Sequence, residues 1–363
     1  MEPGIRKKGE RQSNIELLRI LAMLFIIAGH LAGQGWILWG VSEKPLLFVM
    51  LAGSGLRIAV NLFLMIGVWF MVDMDFSAAR ILKLYGITAF YSVFLTLLMV
   101  VLRVEAPKGD VVRVLMPFWG RPLWFSSAYI SLLAISPFLK KVLAWEQREL
   151  GRLVLLLFLF LSVASTMPGY KESYVADFCW FGFIYLFTGY MKKSGKAKVK
   201  NRMGLLGGGI AIYFMLVTAR WLCRIYQGRF AFLSAGEILA EQYISDIRSV
   251  PNFLCALCIF LFFLNTDMGR NRIINYAAET AFGVYVIHAV PAFYNFLWHN
   301  IYQCDLWKKS PYMWLYFTGT VLSVYGIGSL VDRLRMRCIE PFWLKSRVFQ
   351  YLCAKIEGFY IYR

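Results

Sequence analysis

The sequence predicts an all-α polytopic membrane protein with about ten transmembrane helices and both termini cytoplasmic. Three observations carry this prediction. The 363 residues are 59% hydrophobic and only 17% charged, with a mean hydropathy of +0.58, against roughly 45–50% apolar and about 25% charged in a soluble domain. The apolar residues gather into stretches of about 17–25, the length that crosses a bilayer as helix. The basic residues, 39 against 21 acidic, cluster between those stretches. There they orient spans and meet anionic lipid. No motif of basic residues interleaved with exposed aromatics is visible, so no nucleic-acid partner is expected.

In order, the spans are read near residues 15–38, 47–72, 81–103, 123–142, 152–168, 174–191, 203–222, 248–265, 275–298 and 312–331. The first follows a basic polar tail. It reads as a retained span rather than a signal peptide, because it carries Glu16 and Arg19 and lacks a small-residue cleavage site. The second is long and interrupted by Gly53, Gly55, Arg57 and Asn61. The third opens on Arg80 and Lys83, the fourth on Pro122 and Trp124. The longest connection, 223–247, separates the seventh and eighth, and Pro291 marks a kink in the ninth. The organisation is then a basic tail (1–13), a membrane domain (14–331) and a basic C-terminal tail (332–363) that mixes Arg and Trp like an interfacial anchor. With the N-terminus inside, basic residues on inner segments outnumber those on outer ones about two to one, as the positive-inside rule requires for an even number of spans. The run Lys192 to Arg202 reads first as an orientation signal and second as a lipid-binding patch.

Of the seven cysteines, most lie in or beside apolar runs. Cys255 and Cys258 have CxxC spacing within a Phe-rich run and read as packing residues rather than a redox or metal pair. There is no GxSxG, Walker loop or HExxH, so serine-hydrolase and zinc chemistry have no support and no metal is expected.

Ionisable residues in a span are costly and tend to line a site. Arg19 and His30, eleven residues apart in the first span, share a helix face about 16 Å apart along the axis. His30 is either a packing histidine bonded across helices or a general base that takes a proton from an attacking hydroxyl. Arg19, three residues after Glu16, either snorkels in a salt bridge or binds an anion such as phosphate. Arg80 and Lys83 are membrane-side anchors or two further cations for a polyanionic donor. Trp124 and Tyr129 belong to an aromatic belt or a site. Tyr285 and His288 form a second aromatic and imidazole pair in a late span, and His299 reads as interfacial.

These pieces, in this order, resemble the acyltransferase 3 family of integral membrane acyltransferases, from about Asn14 to about Leu330. The matching features are Arg19 followed by His30, Leu62 to Gly67, the basic pair Arg80 and Lys83, Trp124 to Tyr129, and Phe282 to His288. Ile66 stands where the family often has serine, and Lys83 where it usually has a second arginine. The resemblance implies transfer of an acyl group, commonly acetyl, from acetyl-CoA to a hydroxyl of an extracytoplasmic carbohydrate, by a multi-pass protein of the plasma membrane in its stand-alone form. It implies donor phosphates on Arg19, Arg80 and Lys83, proton transfer at His30, and positioning by Glu16, Trp124, Tyr129, Tyr285 and His288. The implied partners are the bilayer, acyl-CoA, the carbohydrate acceptor and polysaccharide-synthesis machinery. Two rival readings are a polysaccharide transporter or flippase, and a scaffold subunit of a synthesis complex.

Overall fold

The computed structural model describes residues 11–104, 123–167, 174–226 and 231–360, which are helices and short connections with no strand among them. The predicted inner cations Arg6, Lys7 and Lys8, the outer cations from Lys108 to Arg121, Pro122 and Lys171 lie outside the described residues.

The helices are α1 Ser13–Gln34, α2 Glu43–Gly53, α3 Leu56–Met71, α4 Ala78–Val101, α5 Trp124–Val142 and α6 Gln147–Phe158. There follow α7 Tyr174–Lys193, α8 Arg202–Tyr226, α9 Ala231–Ser245, α10 Val250–Leu264, α11 Arg272–Ala278 and α12 Ala281–Ala289. The chain closes with α13 Pro291–Asn295, α14 Met313–Cys338, α15 Glu340–Lys345 and α16 Arg347–Tyr360.

Among the described residues six helices, or up to eight if each of two bent pairs is one span, are long and apolar enough to cross a membrane. Helices α5 and α7 occupy two further predicted positions but fall short of that apolarity. Their polar residues explain the difference. Ser126, Ser127 and Ser136 of α5 and Thr188 of α7 are buried inside the bundle. A helix enclosed by other helices need not be apolar all round.

Helix α1 is central and packs against α2, α3, α12 and α14. The close approach depends on glycine: a Cβ at Gly29 would come within 2.5 Å of Leu56 Cβ, and one at Gly53 within 2.6 Å of Ala32 Cβ. The start of α1 is tied down by its polar residues. Ser13 Oγ donates to Asn275 Oδ1 at 2.9 Å, and Asn14 Nδ2 to the Phe263 carbonyl at 2.8 Å.

The connection read at 223–247 contains a helix, α9, which meets α10 at 43°. Its charges had concealed it. Glu241, half exposed, pairs with Arg220 of α8, and the buried Asp246 just beyond α9 pairs with Arg248 at 2.9 Å, so each carboxylate has a cationic partner. The predicted kink at Pro291 is a 75° break. The CxxC cysteines of α10 pack on α8: Cys255 Sγ bonds the Gly209 carbonyl at 3.2 Å, and a Cβ at Gly209 would lie 3.0 Å from Cys258 Cβ.

Some of the cations predicted for one side meet common carboxylates or neighbouring ones. Arg11 and Arg333 meet Glu279 at 3.2 and 3.5 Å, Lys140 meets Asp75 at 3.2 Å, and Lys192 meets Asp73. The beginning of α1 and the end of α14 are therefore at the same end of the bundle. At the other end Trp36 packs edge-on to His299 at 6.3 Å. Nearby, Lys308 and His299 bond Asp305 and hold its carboxyl below the usual carboxylate range.

Past residue 331 the chain is not a free tail. Helix α14 runs on to Cys338, and Asp332, Arg335 and Glu340 are buried. Asp332 accepts from Tyr91 Oη at 2.9 Å and from Arg335 Nε at 2.7 Å. Arg335 also bonds Glu340 at 2.8 Å, and Glu340 bonds Lys83 at 2.5 Å.

Candidate active site

Helices α1 and α12 bring two histidines into ring contact. The ring centroids of His30 and His288 lie 5.1 Å apart, with the planes inclined by 55°. His288 occupies the last turn of α12, before the break at Pro291. Its Nδ1 is 2.6 Å from the Val284 carbonyl oxygen. A carbonyl only accepts, so Nδ1 carries the proton and Nε2 of the neutral ring is left as an acceptor. That Nε2 and the Nδ1 of His30 are both buried and have no hydrogen-bond partner among the described residues. Buried polar atoms are nearly always satisfied, so two such atoms on neighbouring rings mark a place for a ligand or water.

His30 lines a narrow cavity of about 20 Å³, room for about one water molecule, together with Arg57, Trp124, Phe125 and Tyr285. The aromatic residues hold the imidazoles. Tyr285 stands edge-on to His288 at 6.2 Å and to Phe125 at 5.6 Å. Trp298, 6.5 Å from His288, donates its Nε1–H to Gln34 Oε1 at 3.1 Å, one turn beyond His30.

A second group forms deeper along α5, toward the end that carries Arg11. Tyr129 stacks on Phe125 at 5.9 Å and lies within electrostatic reach of both Arg19 and Arg80. Arg19 bonds the buried Glu16 at 2.7 Å. That pair leaves the remaining donors of the guanidinium for another anion. Arg80 bonds the Asp75 carbonyl and, at 3.2 Å, Met74 Sδ, and has no carboxylate partner among the described residues. The tyrosine needs Gly67, since a Cβ there would sit 2.3 Å from its hydroxyl oxygen. Gly67→Ala is therefore expected to displace Tyr129 and cut activity more than it cuts insertion. Adding Tyr129→Phe removes the clashing oxygen and should restore thermal stability in detergent. A double variant no more stable than the single one would count against this contact.

Lys83 is not brought to this group. It pairs with Glu340 and lines a separate, largely apolar cavity of about 280 Å³ with Phe90, Arg335 and Trp343. Arg57 was not selected from the sequence as a site residue, yet it lines the His30 cavity with its guanidinium 6.0 Å from the centroid of Trp124. The available signal was its charge inside a predicted span.

The model of the acyltransferase domain that defines the acyltransferase 3 family matches residues 12–331. The chain belongs to that family. No match was found among curated proteins or among solved structures. As a family member the protein is a membrane acyltransferase, and the matched region holds both histidines, Arg19, Arg57, Arg80 and Tyr129. Asp332, Arg335 and Glu340 follow immediately after it.

Proposed function

We propose that the protein is an O-acetyltransferase of the plasma membrane, moving an acetyl group from acetyl-CoA to a hydroxyl of a cell-envelope polysaccharide or related glycan. The observation that supports this most is the packing of His30 on His288, each with a buried ring nitrogen that lacks a partner among the described residues, with His30 on a cavity wall inside the matched acyltransferase domain. His30 takes the proton of the acceptor hydroxyl as its oxygen attacks the acyl carbon. His288, its tautomer set by Val284, offers Nε2 to the same hydroxyl or to an intervening water.

In this reading the end bearing Arg11 and Arg333 is cytoplasmic, consistent with the clustering of cations there. Arg19 and Arg80 hold the donor phosphates, for which guanidinium forks are suited. Arg80 fits that task because no carboxylate occupies it among the described residues. Acetyl-CoA supplies the thioester. Lys83 serves the C-terminal ion network instead, and the acceptor approaches from the opposite face, where polysaccharide-synthesis machinery delivers it.

Comparison of surface glycans with and without the gene by mass spectrometry tests the function. Loss of an acetyl-sized increment is expected. Unchanged acetylation with impaired glycan export would favour a transporter instead. For the donor, Arg80→Gln should weaken acetyl-CoA binding about tenfold or more at low salt, the loss of a charge-assisted hydrogen bond. Lys83→Gln should leave that affinity near wild type while lowering thermal stability. Equal losses of affinity in both variants would place Lys83 back on the donor.

A further inference from the structure

Arg57 is a fixed cation in the first turn of α3, within a stretch that is apolar enough to span a membrane. It has no carboxylate and no hydrogen-bond partner among the described residues. Its one described polar contact is with the face of Trp124. A charge in such a place is expensive and is retained where it meets a ligand or a pathway. The cavity wall around it carries apolar groups such as Ile26, Val60 and Phe63 beside His30, Trp124 and Tyr285, and among the described residues Arg57 is its only lysine or arginine. Arg57 and His30 are close enough to interact electrostatically.

We infer that Arg57 stabilises the oxyanion of the acyl-transfer step, on the cavity wall it shares with His30. This rests on the acyl-transfer reading of the same site. The acceptor hydroxyl gives its proton to His30 while its oxygen bonds to the carbonyl carbon of an acyl thioester. The carbonyl π pair moves onto oxygen, which Arg57 binds through its N–H donors. Collapse restores the carbonyl, breaks the carbon–sulfur bond, and the thiolate takes the proton from His30. The products are an ester and a thiol. Once substrate fills the cavity and displaces its water, a pre-placed cation there gains in value, because less solvent competes for the developing charge.

The test compares wild type, Arg57→Lys and Arg57→Met, purified in the same detergent, in a transfer assay with acetyl-CoA and a soluble sugar acceptor. Arg57→Met should lower kcat about 10²- to 10³-fold, as for loss of an oxyanion donor, with KM for donor and acceptor little changed. Arg57→Lys, which keeps the charge and loses the fork, should fall between. A raised KM for the acceptor with kcat intact would overturn the proposal and make Arg57 a binding group for an anionic acceptor. Loss of thermal stability without loss of kcat in the folded fraction would make it structural, also against the proposal. An inactive wild type would remove the acyl-transfer reading itself and the inference with it. An active wild type with an equally active Arg57→Met would remove only the inference.

Discussion

Replacing His30 by alanine is expected to lower acyl transfer by about 10²- to 10⁴-fold, the contribution of a positioned general base, with insertion and acetyl-CoA affinity unchanged. The expectation follows from position. His30 stands on the cavity wall and its Nδ1 has no partner among the described residues, so little of the fold depends on it. Arg19, on the same helix near the other end, is held by Glu16 independently of the imidazole. His288→Ala should cost less than His30→Ala in rate and more in stability, because that ring is buried against Tyr285 and Trp298. Rates of both variants normalised to folded protein decide the matter. A His30→Ala enzyme that acetylates at the wild-type rate would return this histidine to a packing role.

The second large effect concerns Gly283. A Cβ at this position of α12 would lie 2.1 Å from Asp332 Cγ and 2.3 Å from each carboxylate oxygen. The obstacle is a short buried side chain held by Tyr91 and Arg335, so it has little room to retreat. Gly283→Ala is expected to destabilise by about 1–3 kcal/mol, the range of overpacked cores. It should also cut activity, since α12 carries His288 five residues further on. In a double-mutant cycle with Asp332→Ala, the combined loss should be smaller than the sum of the single losses, because the second change vacates the space the first one needs. Strict additivity in thermal melts would show that the two sites do not meet.

Much of this architecture is legible in the chain because a bilayer imposes lengths and compositions that few other environments require. The start of α1 and the kink at Pro291 both follow from residue types alone. Where reading fails, the cause is pairing at a distance. Glu241 makes α9 look like a polar connection until Arg220 neutralises it. Lys83 looks like a partner of Arg80, three residues away, until Glu340 claims it from beyond the matched region. Histidines 30 and 288 are conspicuous separately, but nothing in their spacing places one ring 5.1 Å from the other. Arg57 is equally conspicuous, and only the packing of α3 beside α1 and α5 gives it a neighbour on which to act.

The buried Asp332 also bears on how this protein can be recombined with relatives. The matched region ends at residue 331, a natural place to cut a chimera or a truncation. Such a cut would remove the carboxylate that fills the notch at Gly283 and would strip Tyr91 and Lys83 of their anions. A graft that carries the chain through Lys345 transplants the whole ion network with the helix it braces. The functional unit is thus longer than its sequence signature, and exchange of modules between such enzymes should tolerate a junction after α15 better than one at the signature's edge.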